Sequence, residues 1–108
     1  MADHKCSYRS LEGAIGLCLR AGRCVTGAQG CQDAIRRGEA LLVLIDPSVS
    51  ERSKQQWVHM CEYYRACYRY LPKAEMLSRL TGRENRKIAA VTDAGFARMI
   101  GELLPISK

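Results

Sequence analysis

The residues with the spacing to do chemistry cluster between Arg20 and Gly38, in RAGRCVTGAQGCQDAIRRG. A short extended run, Arg23 to Thr26, meets a turn at Gly27, and an amphipathic helix pattern follows from about Ala28 to Arg37. The turn therefore sits at a helix N-terminus, where backbone N–H groups lack partners and the helix dipole favours anions. Gly27 and Gly30 let another backbone approach closely. Arg36 and Arg37 follow two turns later. A glycine turn, a helix start and guanidiniums together suit a phosphate backbone.

A second basic segment, Arg83, Arg86 and Lys87 with Asn85 between, precedes a short apolar run. This loop and the glycine turn meet if the first and last strands run antiparallel. Gly27-Ala-Gln-Gly30 also matches the G-x-x-G clamp of KH domains. That clamp joins two helices, whereas here an extended run precedes it, so a KH domain is set aside. The chain contains no Ser-His-Asp pattern, P-loop, HExxH or dinucleotide fingerprint.

Six cysteines stand at 6, 18, 24, 31, 61 and 67, none spaced Cys-x-x-Cys, beside two histidines, His4 and His59. Zinc-knuckle and thioredoxin-type chemistry is therefore not expected. Cys18, Cys31 and Cys61 fall on apolar helix faces, where a free thiol packs as a small hydrophobe. Reduced thiols, no disulfide, no metal and no cofactor are expected. The first ten residues, MADHKCSYRS, have no apolar signal core, and no run is long enough to span a bilayer. A cytoplasmic protein without membrane contact is expected, which fits reduced thiols.

The elements that must hold these residues read as follows. Leu11, Ala14, Ile15 and Cys18 recur at helical spacing, with Gly22 as the stop. Gly13 and Gly16 in this helix are read as allowing close packing on a sheet. Cys24 to Thr26 is a strand, and Ala40 to Ile45 is a continuous apolar run of the kind covered on both faces. Ser48 or Ser50 caps a third helix with a stripe of Val49, Trp57, Met60, Cys61 and Tyr64. Ala66 to Leu71 is extended, and Pro72 opens a fourth helix with Met76, Leu77 and Leu80. Ile88 to Val91 is the last strand. Thr92 or Asp93 caps a final helix with Phe96, Ile100 and Leu103 on one face. Helix and strand alternate throughout, which predicts a sheet between helix layers, with crossovers from the second helix onward. At 108 residues this is one domain, with residues 1–6 expected to be flexible. The formal charge of +6, from 17 basic and 11 acidic residues, favours a polyanionic partner.

Several segments together resemble the bacterial YlxQ-like proteins of the kink-turn-binding ribosomal protein superfamily (L-seven-Ae and L-thirty-e types). They are residues 16–23 (GLCLRAGR), Thr26-Gly27, residues 34–38 (AIRRG), residues 41–46 (LLVLID), residues 61–64 (CEYY), residues 82–87 (GRENRK) and residues 90–97 (AVTDAGFA). They span about residues 8 to 102 in order. The resemblance implies an α/β fold, a three-layer α-β-α sandwich around a mixed four-stranded sheet. It also implies a non-enzymatic protein that binds structured RNA, ribosomal RNA foremost, in association with the ribosome. The implied contacts are the glycine turn, the helix after it and the loop before the last strand.

Family members read a kink-turn with Asn and Glu just after the turn and Lys one helical turn on. Here those positions are Gln29, Gly30 and Asp33. Gln can still donate and accept, Gly30 offers only backbone, and Asp33 repels phosphate. The expected RNA-binding set is Arg23, Thr26, Gly27, Ala28, Gln29, Gly30, Asp33, Arg36, Arg37, Arg83, Asn85, Arg86 and Lys87. Gly27 to Gly30, Arg36, Arg37 and the loop from Arg83 to Lys87 are expected to form one continuous basic surface. A protein–protein adaptor on the same fold is the alternative, favoured by Gly30 and Asp33. A thiol-based redox protein is the third class.

Overall fold

The computed structural model describes residues 6–104. The expectation for residues 1–6 falls outside that range, except that Cys6 already belongs to the first helix. The elements are α1 (Cys6–Arg20), β1 (Cys24–Thr26), α2 (Ala28–Arg36), β2 (Leu42–Ile45), α3 (Glu51–Tyr63), β3 (Cys67–Tyr70), α4 (Met76–Thr81), β4 (Ile88–Val91) and α5 (Ala94–Glu102). The strands form a mixed sheet in the order β1-β4-β2-β3. β4 runs antiparallel to both β1 and β2, and β2 runs parallel to β3.

Side chains alternate across the two central strands, as a pleated backbone requires. Leu42, Leu44, Ala89 and Val91 face a core with Leu11, Ile15, Cys18, Met76, Leu77 and Ile100 from α1, α4 and α5. Val43, Ile45, Ile88 and Ala90 face a second core with Cys31, Ala34, Ile35 and Cys61 from α2 and α3. Every residue of β2 and β4 is buried, which is why both strands read as unbroken apolar runs. The alanines at 89 and 90 let helices on both faces approach β4.

The alternatives left at the helix starts are resolved by hydrogen bonds. Ser50 Oγ accepts from Ser53 N at 3.1 Å and caps α3. Asp93 Oδ2 accepts from Phe96 N at 2.9 Å and caps α5. Ser48 is drawn away by Asp46, and Val49 precedes α3 instead of extending its stripe. Tyr64, just past α3, is exposed.

Three expectations are corrected. Gly13 and Gly16 face open space, so neither brings α1 close to the sheet. Pro72 does not open α4; the helix begins at Met76, after Glu75 in the left-handed conformation at φ 69°. The run of crossovers also stops at β3. β3 ends and β4 begins at the same end of the sheet, where Ile45 pairs with both Tyr70 and Ile88. The chain between them passes over β2 without returning to the other end of the sheet, so β4 enters antiparallel.

Candidate nucleic-acid interface

The antiparallel pairing of β1 with β4 matches Thr26 with Ala89. The end of β1 therefore lies beside the start of β4, and the loop carrying Arg86 and Lys87 lies beside the glycine turn. Gly27 N donates to Ile88 O at 3.1 Å and fastens the two. Gly27 has φ 92°, a conformation that costs L side chains dearly. A Cβ there would also run into the Arg86 guanidinium, which lies against the turn. No side chain caps α2, so its first N–H groups have no side-chain acceptor.

Gly30 is used differently. It sits in the first turn of α2, and a Cβ on it would stand 2.6 Å from Val25 Cγ1. Its missing side chain lets α2 settle on β1. Gln29 and Asp33 share the exposed side of α2, with Gln29 Nε2 donating to Asp33 Oδ1 at 3.3 Å.

Two open grooves flank the turn. One, of about 330 Å³, includes Ala28, Ser48, Ser53, Trp57, Asn85 and Lys87 in its lining. The other, of about 390 Å³, is lined by Leu19, Arg20, Thr26, Leu80, Thr81 and Arg83. Thr26, Gly27, Ala28, Gln29, Gly30, Arg83, Asn85, Arg86 and Lys87 are thus brought to one end of the sheet.

Arg23, Arg36 and Arg37 are not. Arg23 precedes β1, and its carbonyl accepts from Thr92 N at 2.9 Å, past the far end of β4. Arg36 ends α2 and Arg37 caps it. Eight residues at 1.5 Å each put Arg36 about 12 Å along the axis from Ala28. The chain then enters β2 beside Val91, again at the Arg23 end. The single continuous basic surface expected from the sequence is thus drawn out along α2, which runs back along the sheet and carries Arg36 and Arg37 to the end opposite the glycine turn. Asp33 lies between the two ends.

A buried network steadies the turn end and was not foreseen. Asp46 is fully buried at the end of β2. Its Oδ1 accepts from Ser48 N at 2.7 Å and Ser48 Oγ at 2.6 Å, and its Oδ2 accepts from Glu75 N at 2.8 Å. Lys87 Nζ donates to Ser48 Oγ at 2.7 Å and lies 3.5 Å from Glu75 Oε2. One carboxylate thus ties together the loop before α3, the turn before α4 and the lysine before β4. The Asp-x-Ser spacing of an Asx turn was the available signal; Glu75 is distant in sequence and left none.

Four of the described cysteines are held away from reactivity at neutral pH by burial. Burial pushes the Cys24, Cys31 and Cys61 thiols up to about 12, and it raises Cys18 as well. The Arg86 guanidinium pulls Cys31 the other way, but burial outweighs it. Among the described residues, no three His, Cys, Asp or Glu side chains come together to hold a metal ion. Nor, among them, is any helix long and apolar enough to cross a membrane.

This arrangement has relatives. The chain is 34% identical over 90 residues to the RNA-binding protein YlxQ of Bacillus subtilis, covering 83% of this chain and 90% of that one. It is 32% identical over 91 residues to the RNA-binding protein YlxQ of Enterococcus faecium, covering 83% and 86%. A solved structure of a protein with unknown function from Bacillus halodurans superposes with a TM-score of 0.79 at 27% identity, over 86% of this chain and 94% of that one. The Giardia lamblia 15.5kD RNA binding protein shares the fold, with a TM-score of 0.70 at 17% identity over 95% and 88% of the two chains. The model of the Ribosomal protein L7Ae/L30e/S12e/Gadd45 family matches residues 9–100, and with these relatives it makes this chain a member of that family.

Proposed function

We propose that the protein binds structured RNA, without catalysis, through the end of the sheet that carries the glycine turn. The observation that carries this reading is the junction of two segments far apart in sequence. The uncapped start of α2 and the loop with Arg83, Asn85, Arg86 and Lys87 share one rim. Uncapped N–H groups donate to phosphate oxygens, and guanidinium and ammonium groups add charge without demanding a base. The relatives named as RNA-binding proteins support the same reading. Gln29 is the candidate for touching a base edge, since its side chain can exchange Asp33 for a base. Within this proposal the partner is a bent, kink-turn-like RNA, ribosomal RNA foremost, and the setting is the cytoplasm.

A second reading, a protein–protein adaptor, is favoured by one observation. Gly30 presents no side chain outward, and Asp33 presents a carboxylate where a cation would serve RNA. A titration against a kink-turn RNA and the same RNA with its G·A pairs replaced, at two salt concentrations, separates the readings. RNA binding predicts affinity for both that falls steeply with salt, with modest preference for the kink-turn. Binding of neither RNA at low salt would move the adaptor ahead.

A further inference from the structure

We propose that the groove between α2 and α3 is the path of a single RNA strand, with the Trp57 indole as the platform for an unpaired base. The inference rests on the RNA reading above and names where the strand goes after it leaves the turn.

The groove holds about 460 Å³ and is lined by Ala28, Gln32, Ser53, Gln56, Trp57 and Met60. It continues from the groove beside the glycine turn, because Ala28, Ser53 and Trp57 line both. Trp57 is half-buried, packed against the second core yet open to the two grooves. An indole held in this way offers a flat face at little cost in side-chain freedom.

Charge distinguishes this path from its neighbour. No carboxylate lines either of the two joined grooves, and Lys87, held by Ser48 and Glu75, lines the one beside the turn. The groove lined by Tyr68 and Tyr70 carries two carboxylates, Glu51 and Glu62, against one lysine, Lys54, and so does not favour a phosphate chain. The amides of Gln32 and Gln56 can each donate and accept, so they suit any base edge.

Trp57 is the chain's one tryptophan, so its fluorescence reports contact directly. The whole protein is titrated with a kink-turn RNA and with the same RNA whose bulge is lengthened by about four uridines. The lengthened RNA should bind at least about fivefold tighter and quench Trp57 more strongly. Trp57→Ala should bring the two affinities together, while Trp57→Phe keeps most of the preference. Gln56→Glu, at an exposed position that does not threaten folding, should erode the preference by placing a carboxylate in the groove. Equal affinities with unchanged fluorescence would overturn the strand path and leave the RNA reading standing. A preference that survives both Trp57→Ala and Gln56→Glu would overturn it too. Failure of the wild type to bind either RNA would overturn the RNA reading, and the path with it.

Discussion

Gly30 and Val25 occupy one another's space: a single added carbon on the glycine would lie 2.6 Å from the valine's Cγ1. Ala in place of a helical glycine gains about 1 kcal/mol of propensity, while overpacking costs about 1–3 kcal/mol. The expected net effect of Gly30→Ala is a loss of about 1 kcal/mol. Val25→Ala removes the obstruction, so the two substitutions should couple by about 1 kcal/mol in a double-mutant cycle measured by urea unfolding. Simple additivity would show that α2 shifts without cost. The same contact predicts that Gly30→Glu with Asp33→Lys sharpens kink-turn discrimination only when Val25 is also made smaller.

The Asp46 network predicts a large effect from a small change. Asp46→Ala leaves the Ser48 and Glu75 N–H groups without their acceptor and should cost about 3 kcal/mol. Asp46→Asn keeps one acceptor oxygen but turns an N–H₂ group toward a donor, and should cost about 2 kcal/mol. Chemical denaturation of both variants checks the order. A loss below about half a kcal/mol in each would mean that water replaces the carboxylate.

The buried thiols set the alkaline limit of stability. Their ordinary value is 9.0, and Cys24, Cys31 and Cys61 are pushed up to about 12. The folded state therefore holds protons that the unfolded state releases. Their contribution is fully present below pH 9 and is lost as pH rises toward about 12. Each such thiol adds a slope of at most about 1.4 kcal/mol per pH unit across that window. Denaturation midpoints between neutral pH and pH 11 should fall, and Ser in place of Cys31 should flatten the fall. Among the described cysteines, exposed Cys67 should react first with a thiol reagent, with the buried ones waiting on unfolding.

The division of the basic residues predicts unequal roles. Arg83→Ala, beside the turn, should weaken all structured RNAs alike and lower the salt slope by about one contact. Arg37→Ala, at the other end of α2, should change both much less. Salt-dependent binding of the two variants checks this, and equal slopes would mean that the RNA wraps along α2 to its end.

Sequence alone determined the alternation of elements, the buried centre of the sheet and the sites of the apolar cysteines. These follow from local periodicity: Leu42 to Ile45 is apolar at every position because both pleat faces are covered, and Cys18, Cys31 and Cys61 keep helical step with their neighbours. The ordered segments also led to the family, since residue identities carry that record without geometry. Beyond what the resemblance implied, tertiary structure decided the direction of β4, and with it that the Gly27 turn meets Arg86 while Arg36 and Arg37 do not. Strand direction depends on where a connection ends in space, and the chain from Leu71 to Lys87 has no periodicity that says so. The Asp46–Glu75 bond and the Gly30–Val25 contact were equally unreadable, because each joins groups whose meeting is fixed only when whole layers pack.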